Sequence, residues 1–424
     1  MNPHAFRHAP SKSRPLPALQ VAGPRRRPHW LNANRLRLYP LVVFACFALF
    51  VAIYLFRLNT QSGISPLMVD FLPFWSAAVM ALQGHAVDAY NVHALSLIEI
   101  GAMPHFATVD GILPWLYPPN ALLMIVPLAL LPYKLAAAVW LGGAYLLFVK
   151  TIRTILPDRH ALLPALFFPG ALFVITVGQN GLLTAALAGC GLVWLRRRPV
   201  AAGICFGLLC MKPQLVVLFP LALLCSRSWR ALAAMVVTAG ATLGFSLLAF
   251  GTGTLGAFLH NTGIATYSIE SAHATLARMP TLFALATLLH APALLAYAAQ
   301  GACALLAAAA VCYAWGRESS HALRAATLVC ASLFVSPYLY DYDLAWYGVL
   351  IAWYCRHALA EGWRRGEREW LVVLWIAPLA GMLIVAMGPF QFMPLISLTT
   401  LAMLVGRIAV ERRAAPVLQA YVDE

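Results

Sequence analysis

Acidic residues are scarce in this chain. Among its 424 residues there are 15 Asp and Glu against 29 Lys and Arg, and charged residues make up only 10% of the total. Soluble domains carry about 25% charged residues, so a water-soluble globular protein is excluded. The sequence is 62% hydrophobic with a mean hydropathy of +0.78. Because backbone groups inside a bilayer must be satisfied within helices, we predict an all-α polytopic membrane protein.

Several motifs of soluble enzymes are also missing. Neither a P-loop nor an HExxH motif occurs, which leaves nucleotide hydrolysis and zinc chemistry without support. The nine cysteines are scattered without a CxxC pair, so they are predicted to be reduced core residues. The net charge of +14 falls mainly in short clusters between apolar segments, which predicts membrane orientation rather than a nucleic-acid partner.

Two tails flank one predicted membrane domain. Residues 1–37 are rich in Pro, Arg and His, and they are predicted to be a disordered basic cytoplasmic tail. The apolar run 38–56 is longer than the core of a signal peptide and no cleavage site follows closely, so it is predicted to be a retained first helix. Residues 38–413 would form a single transmembrane domain, and 414–424 a cytoplasmic tail.

Clusters of positive charge give the predicted topology, since Arg and Lys gather in cytoplasmic loops. Neighbouring clusters should enclose an even number of membrane crossings. The apolar stretch 115–131 would make that number odd, so it is predicted to be a re-entrant or juxtamembrane helix rather than a full crossing. The segments 200–211 and 214–225 are too short for a ~30 Å hydrocarbon core. We predict about 12 crossings of a bacterial inner membrane, some of half length, with both termini cytoplasmic. Two large loops would face the extracytoplasmic side: 57–133, with juxtamembrane helices near 74–83 and 92–103, and 251–290.

Asp70 follows the first apolar segment, in the sequence Val-Asp-Phe-Leu-Pro-Phe-Trp (69–75). A carboxylate at the mouth of a membrane helix is costly to keep there, and such groups are by default functional. We interpret Asp70 as a general base that deprotonates a hydroxyl acceptor, with Trp75 in the aromatic surroundings that bind substrate. The alternative is a helix N-cap, where Asp is common.

Two cations could stabilise a phosphate leaving group. Lys212 stands alone in Met-Lys-Pro-Gln between the two half-length segments, where a charge needs an anionic partner or water. Arg278 lies in the second large loop. We assign both to binding of the donor phosphate. The alternatives are that Lys212 snorkels to an interface and that Arg278 is a solvated loop residue.

Further polar residues on the same predicted face are candidates for substrate binding. Residues 117–120 could present a Tyr and an Asn to a sugar or begin a helix, and 178–181 offer two amides or form a turn. The acidic, aromatic run 336–343 could hold hydroxyl groups or cap a helix, and loop histidines could contact the acceptor or be solvated. The candidates are Tyr117, Asn120, Gln179, Asn180, Gln214, His260, His273, Tyr338, Asp341 and Asp343.

In their order and spacing these motifs resemble glycosyltransferase family 87. The resemblance extends over about 70–345. It is carried by Asp-Phe-x-x-Phe-Trp-x-Ala-Ala (70–78) with Gly84 and Tyr90, Tyr-Pro-Pro (117–119), Leu-Leu-Pro (130–132), Gly-Gln-Asn (178–180), Lys-Pro-Gln (212–214) and Ser-Pro-Tyr…Tyr-Asp-Leu (336–344). That family has the GT-C membrane fold and includes the actinobacterial mannosyltransferase that extends phosphatidylinositol mannosides.

The resemblance implies a hexosyltransferase that uses a polyprenyl-phosphate sugar donor, most often polyprenyl-phosphate mannose. The acceptor would be a hydroxyl group of a glycolipid or an envelope glycan on the extracytoplasmic face. Transfer would invert the anomeric centre without a metal ion, and no other cofactor is expected. By likeness, Asp70 would be the catalytic base in the first outward loop.

The residues alone leave two other classes of protein open. A transporter or flippase for a lipid-linked or anionic solute could use Lys212 and the broken helices. However, no internal repeat is visible, and the charges gather at one mouth rather than near the midplane. A non-catalytic assembly factor of envelope synthesis would tolerate Asp70→Asn, whereas an enzyme would not.

Overall fold

The computed structural model describes residues 29–61, 64–103, 113–270, 276–317, 319–388 and 390–422. These residues are helical or loop, without a β-strand among them, so the all-α prediction is confirmed. The first helices are α1 (Ala33–Thr60), α2 (Leu72–Leu82), α3 (Val92–Ala102), α4 (Pro119–Ile125), α5 (Tyr133–Ile155), α6 (Leu162–Leu166), α7 (Pro169–Val177), α8 (Gly181–Trp194) and α9 (Pro199–Leu208). The later ones are α10 (Pro213–Val216), α11 (Leu218–Cys225), α12 (Trp229–Phe250), α13 (Gly253–Glu270), α14 (Leu282–Leu288), α15 (Ala293–Trp315), α16 (His321–Ser332), α17 (Trp346–Glu361), α18 (Glu367–Met387) and α19 (Met393–Val422).

Seven helical segments in the described part of the chain are long and apolar enough to cross a membrane, which agrees with a polytopic membrane protein. They are Ala33–Thr60, Tyr133–Ile155, Arg159–Val177, Trp229–Phe250, Ala293–Trp315, Glu367–Val385 and Met393–Arg413. The sequence predicts about twelve crossings with some of half length. The additional ones would fall to shorter apolar helices such as α8, which has 14 residues.

Two helices extend into the predicted tails. α1 begins at Ala33, inside the predicted tail 1–37, because the Asn32 side chain accepts a hydrogen bond from the Arg35 backbone N–H at 3.0 Å and caps the helix. α19 continues to Val422, through most of the predicted tail 414–424. The second large loop contains α13 and α14. Residues 1–28 of the first tail, 104–112 of the first loop and 271–275 of the second lie outside the described residues.

The predicted pair of half-length segments is present. α9 continues as a 3-10 turn over Leu209–Met211 and ends at Lys212, and Pro213 begins α10. Proline has no backbone N–H and disfavours helical conformation in the residue before it, and Lys212 accordingly has φ −130° and ψ 76°. α9 packs closely on α12 because Gly203 and Gly207 leave no side chain between the two backbones. The break at Lys212 is therefore held inside the helical bundle.

Two hydrophobic cores organise the chain. The larger one joins the long helices around buried aromatic residues such as Trp346 and Trp353. The smaller one joins α2 and α4 to the beginning of α5 and includes Phe74, Trp115 and Met211. Because Met211 directly precedes Lys212, the smaller core fixes the first loop beside the helix break. This packing sets the position of the Asp70 segment.

Candidate active site

The Asp70 segment is hydrogen-bonded to the end of α7. Met68 has a left-handed backbone with φ 61°. Its N–H donates to the carbonyl of Thr176 at 2.8 Å, and its carbonyl accepts from the Tyr133 hydroxyl at 3.0 Å. Asp70 then lies in a 3-10 turn over Val69–Phe71, and the N-cap position of α2 is occupied by Phe71. Asp70 is therefore not the N-cap residue of α2.

Asp70 shares a cation with a second carboxylate. Arg278 Nη2 lies 3.7 Å from Asp70 Oδ2. The Arg278 side chain also donates to both oxygens of Asp341, through Nε at 3.1 Å and Nη2 at 3.3 Å. The negative charges of Asp341 and, to a smaller extent, Asp70 raise the pKa of Arg278 above its ordinary value. The side chains of Asp70 and Arg278 are 19% and 35% exposed, so a bound molecule can reach both.

A second ion pair lies deeper. Lys212 Nζ donates to Asp343 Oδ1 at 2.6 Å and to Asn180 Oδ1 at 3.4 Å, and it lies 4.5 Å from the centre of the Tyr342 ring. The side chain of Lys212 is only 3% exposed and that of Asp343 only 1%. A buried charge is tolerated when it is paired and hydrogen-bonded, and both conditions hold here. This burial does not agree with the alternative that Lys212 snorkels to an interface.

Two glycines allow these segments to meet. Gly178 ends α7 with φ 92°, and a side chain there would also lie 2.8 Å from the Met68 carbonyl oxygen. Gly181 begins α8 directly against the carbonyl of Tyr342, and a Cβ atom would overlap it. The turn between the two glycines therefore contacts the Asp70 segment on one side and the segment with Asp341 and Asp343 on the other.

The residues between these glycines join Tyr117 to the same cluster. The Tyr117 hydroxyl donates to Gln179 Oε1 at 3.1 Å, and its ring lies 4.8 Å from that of Phe74. Burial raises the pKa of Tyr117 well above its ordinary value, and the nearby charges of Asp343 and Asp70 raise it further. Tyr117 is thus a neutral hydrogen-bonding group in the floor of the site.

The structure gathers eight of the predicted residues into one cluster. They are Asp70, Tyr117, Gln179, Asn180, Lys212, Arg278, Asp341 and Asp343. The cluster carries three carboxylates and two cations, so it holds one negative charge when all of them are ionised. Among the described residues, no group of three or more His, Cys, Asp or Glu side chains is placed to hold a metal ion.

The other candidates lie apart or serve packing. The Trp75 indole donates to the carbonyl of Leu131 at 2.9 Å, and the Tyr338 and Tyr297 hydroxyls are 2.7 Å apart. Asn120 is buried in α4, Gln214 is half-buried in α10, and His260 is exposed on α13. His273 lies outside the described residues.

Two tyrosines of the site are missing from the sequence-based candidates. The rings of Tyr340 and Tyr342 stack with their centres 5.4 Å apart, and Tyr342 also faces the Lys212 ammonium. The signal that could have found them is the alternation Tyr-Asp-Tyr-Asp over 340–343, which puts each tyrosine next to a carboxylate in the same turn.

Comparison with known protein families gives a match. The model of the family described as Glycosyltransferase family 87 matches residues 115–337, more than half of the chain. The matched region contains Tyr117, Lys212 and Arg278, whereas Asp70 and Asp341 lie outside it. No curated protein and no solved structure matches the chain.

Proposed function

Because the chain belongs to glycosyltransferase family 87, we propose that this membrane glycosyltransferase moves a sugar from a polyprenyl-phosphate donor to a hydroxyl acceptor at the Asp70 cluster. The observation that carries the proposal is the pairing of Asp70 with Arg278 at 3.7 Å in a partly open position. It combines a general base with a cation that can stabilise a departing phosphate.

In the proposed step, the acceptor oxygen attacks the anomeric carbon of the sugar from the side opposite the phosphate. The bond between the acceptor oxygen and this carbon forms while the bond from the carbon to the phosphate oxygen breaks, so the configuration inverts. The acceptor proton goes to Asp70, and the electron pair of the broken bond stays on the polyprenyl phosphate. Negative charge thus leaves Asp70 and develops on the phosphate, within reach of the same guanidinium.

The two cations have different parts in this proposal. Arg278 has five N–H donors, of which the bonds to Asp341 engage two, and its side chain is 35% exposed. We assign it to the donor phosphate. Lys212 is enclosed by Asp343 and Asn180, so we assign it to fixing the floor of the site and expect it to act on the phosphate only through its charge.

The lipid donor, the sugar and the acceptor follow from the family resemblance. We propose mannose as the sugar and a glycolipid or envelope glycan as the acceptor, on the extracytoplasmic side of a bacterial inner membrane. The clusters of Arg and Lys support this orientation. α5 begins with Tyr133 beside the Asp70 segment and ends near Arg153, and arginines concentrate on the cytoplasmic side.

The test is transfer from synthetic short-chain polyprenyl-phosphate mannose by the full-length chain in nanodiscs, with envelope lipids as the acceptor. Wild type is expected to give a mannosylated product, and Asp70→Asn is expected to lose activity by about 10²–10⁴-fold, the usual contribution of a general base. The matched control is Asp88→Asn, which removes a carboxylate of the same loop that is exposed and paired with His85.

Retained transfer by a well-folded Asp70→Asn variant would refute the assignment of the base. If wild type does not use mannose, arabinose and glucose donors test the sugar separately. Failure of every polyprenyl-phosphate sugar would refute the class of donor.

A further inference from the structure

A groove of about 640 Å³ lies far from the candidate active site, between α1 and the helices α5, α17 and α18. α5 connects the two places. Tyr133 at its beginning contacts the Asp70 segment, whereas Ile152 near its end lines the groove. At ~1.5 Å per helical residue, about 30 Å separate them. The groove is therefore no part of the donor or acceptor site proposed above.

Its wall is almost entirely apolar. Representative lining residues are Val43, Phe148, Phe168, Ile351, Leu371 and Trp375. α1 touches the rest of the protein at few places, including a contact of the Phe44 and Phe167 rings with centres 4.4 Å apart. An apolar space between membrane helices offers water no polar partners, and the hydrocarbon of a lipid can fill it. The gap along α1 thus fits an acyl chain.

The rim of the groove is basic. Arg35 and Arg368 both line it, with Asp158 as the acidic residue of the lining. Arg35 donates to one backbone carbonyl, that of Trp30, at 2.7 Å, and a guanidinium has four further N–H donors. His160 also lines the groove, and its Nδ1 atom is buried without a hydrogen-bond partner among the described residues. The two guanidinium groups complement a phosphate.

Aromatic residues at the rim indicate its depth in the membrane. Tyr39 lines the groove and is 39% exposed, as is Trp30, whose carbonyl accepts from Arg35. The Arg368 guanidinium lies 5.0 Å from the centre of the Trp363 ring. Trp and Tyr are enriched at the level of lipid headgroups. The basic rim therefore lies where a headgroup would be, and the apolar wall continues from it toward the hydrocarbon.

We propose that this groove binds one anionic phospholipid, with an acyl chain against the apolar wall and the phosphate at Arg35 and Arg368. The lipid would hold α1 against the body of the protein. Residues 1–28, which precede α1, are rich in Pro and Arg with few apolar side chains, so they complement neither the wall nor the basic rim.

Native mass spectrometry of the full-length protein with equal amounts of phosphatidylglycerol and phosphatidylcholine tests the proposal. Wild type is expected to retain one phosphatidylglycerol in preference. Arg35→Gln with Arg368→Gln is expected to weaken this binding roughly fivefold per arginine, which corresponds to about 1 kcal/mol each. The matched control, Arg37→Gln with Arg365→Gln, changes two exposed arginines that do not line the groove and should bind as wild type does.

A second variant tests the apolar wall independently. Ala161→Phe places a ring in the groove and is expected to lower retention of both lipids while glycosyl transfer continues. Glycerol phosphate, a headgroup without acyl chains, is expected to bind more weakly than the phospholipid. The proposal would be overturned if wild type, the double variant of the groove and its control all retained the two lipids equally. So would undiminished lipid retention by Ala161→Phe, or glycerol phosphate binding as tight as that of the phospholipid.

Discussion

The two cation–carboxylate pairs of the candidate site differ mainly in burial. The side chains of Lys212 and Asp343 are 3% and 1% exposed, whereas those of Arg278 and Asp341 are 35% and 16% exposed. Breaking a buried pair leaves an uncompensated charge away from water, but an open pair can exchange partners with solvent or substrate at little cost. The difference supports the proposal that the deep pair holds the site together and that the open pair contacts the donor.

The strongest expected effect on stability comes from breaking the deep pair. Lys212→Met should destabilise the protein by about 3–5 kcal/mol, because it leaves Asp343 buried and unpaired. Thermal unfolding in nanodiscs measures the loss, with Lys150→Met at an exposed lysine as the control. The double variant Lys212→Met with Asp343→Leu should recover part of the stability. A single variant as stable as wild type would contradict the structural role of this pair.

Arg278→Lys should affect activity rather than stability. The substitution keeps the positive charge but loses the planar fork that reaches Asp341 and Asp70 together. We expect kcat/KM for glycosyl transfer to fall by about 10²-fold, with a change in stability below about 1 kcal/mol. Arg230→Lys at an exposed arginine is the control. If Arg278→Lys unfolds the protein but the folded fraction keeps its activity, Arg278 stabilises the fold rather than binding the donor, and its assignment is wrong.

Gly181→Ala tests whether the site depends on the close contact between the beginning of α8 and the Tyr342 carbonyl. The added methyl group would overlap the Tyr342 carbonyl, so the segment that carries Asp341 and Asp343 must shift. We expect a loss of about 1–3 kcal/mol in stability together with at least tenfold lower transfer. The control is Gly256→Ala in α13, where the methyl group meets open space. Wild-type activity in Gly181→Ala would show that the site does not depend on this contact.

The smallest expected effect is a change in melting temperature on substitution of Glu99, which lies beside the site. Burial of Glu99 raises its pKa from the ordinary value of 4.5 to about 7, although the Leu113 backbone partly offsets this. A carboxyl group with a raised folded-state pKa stabilises the fold at low pH and loses that contribution as the pH rises from 4.5 through 7. Glu99→Gln should therefore melt a few degrees above wild type at pH 8, by about 2–4 °C, and close to it at pH 5.

Melting curves at both pH values measure this difference, with Glu361→Gln at an exposed position as the control. A melting difference between Glu99→Gln and wild type that does not change with pH would show that the Glu99 carboxyl does not titrate in this range.

Much of the fold could be predicted from periodicity and composition. The interruption at Lys212 follows from Pro213, and the juxtamembrane helices α2 and α3 lie close to their predicted ranges. The beginning of α1 at Ala33 was not predicted, because a cap such as Asn32 extends a helix beyond its apolar run. The partners of Lys212 and Arg278 were not predicted either. Asp343 is 131 residues from Lys212, and no local pattern specifies a contact at that separation.

The sequence by itself determined that this chain is a helical membrane protein with its acidic residues at a few exceptional positions, because hydropathy and proline act locally along the chain. Only the tertiary structure decided which cation meets which carboxylate. That choice depends on the close approaches at Gly178 and Gly181 and on burial, and burial is a property of the packed helices rather than of any segment. The basic groove along α1 was likewise decided by packing, since its lining residues come from helices far apart in the chain.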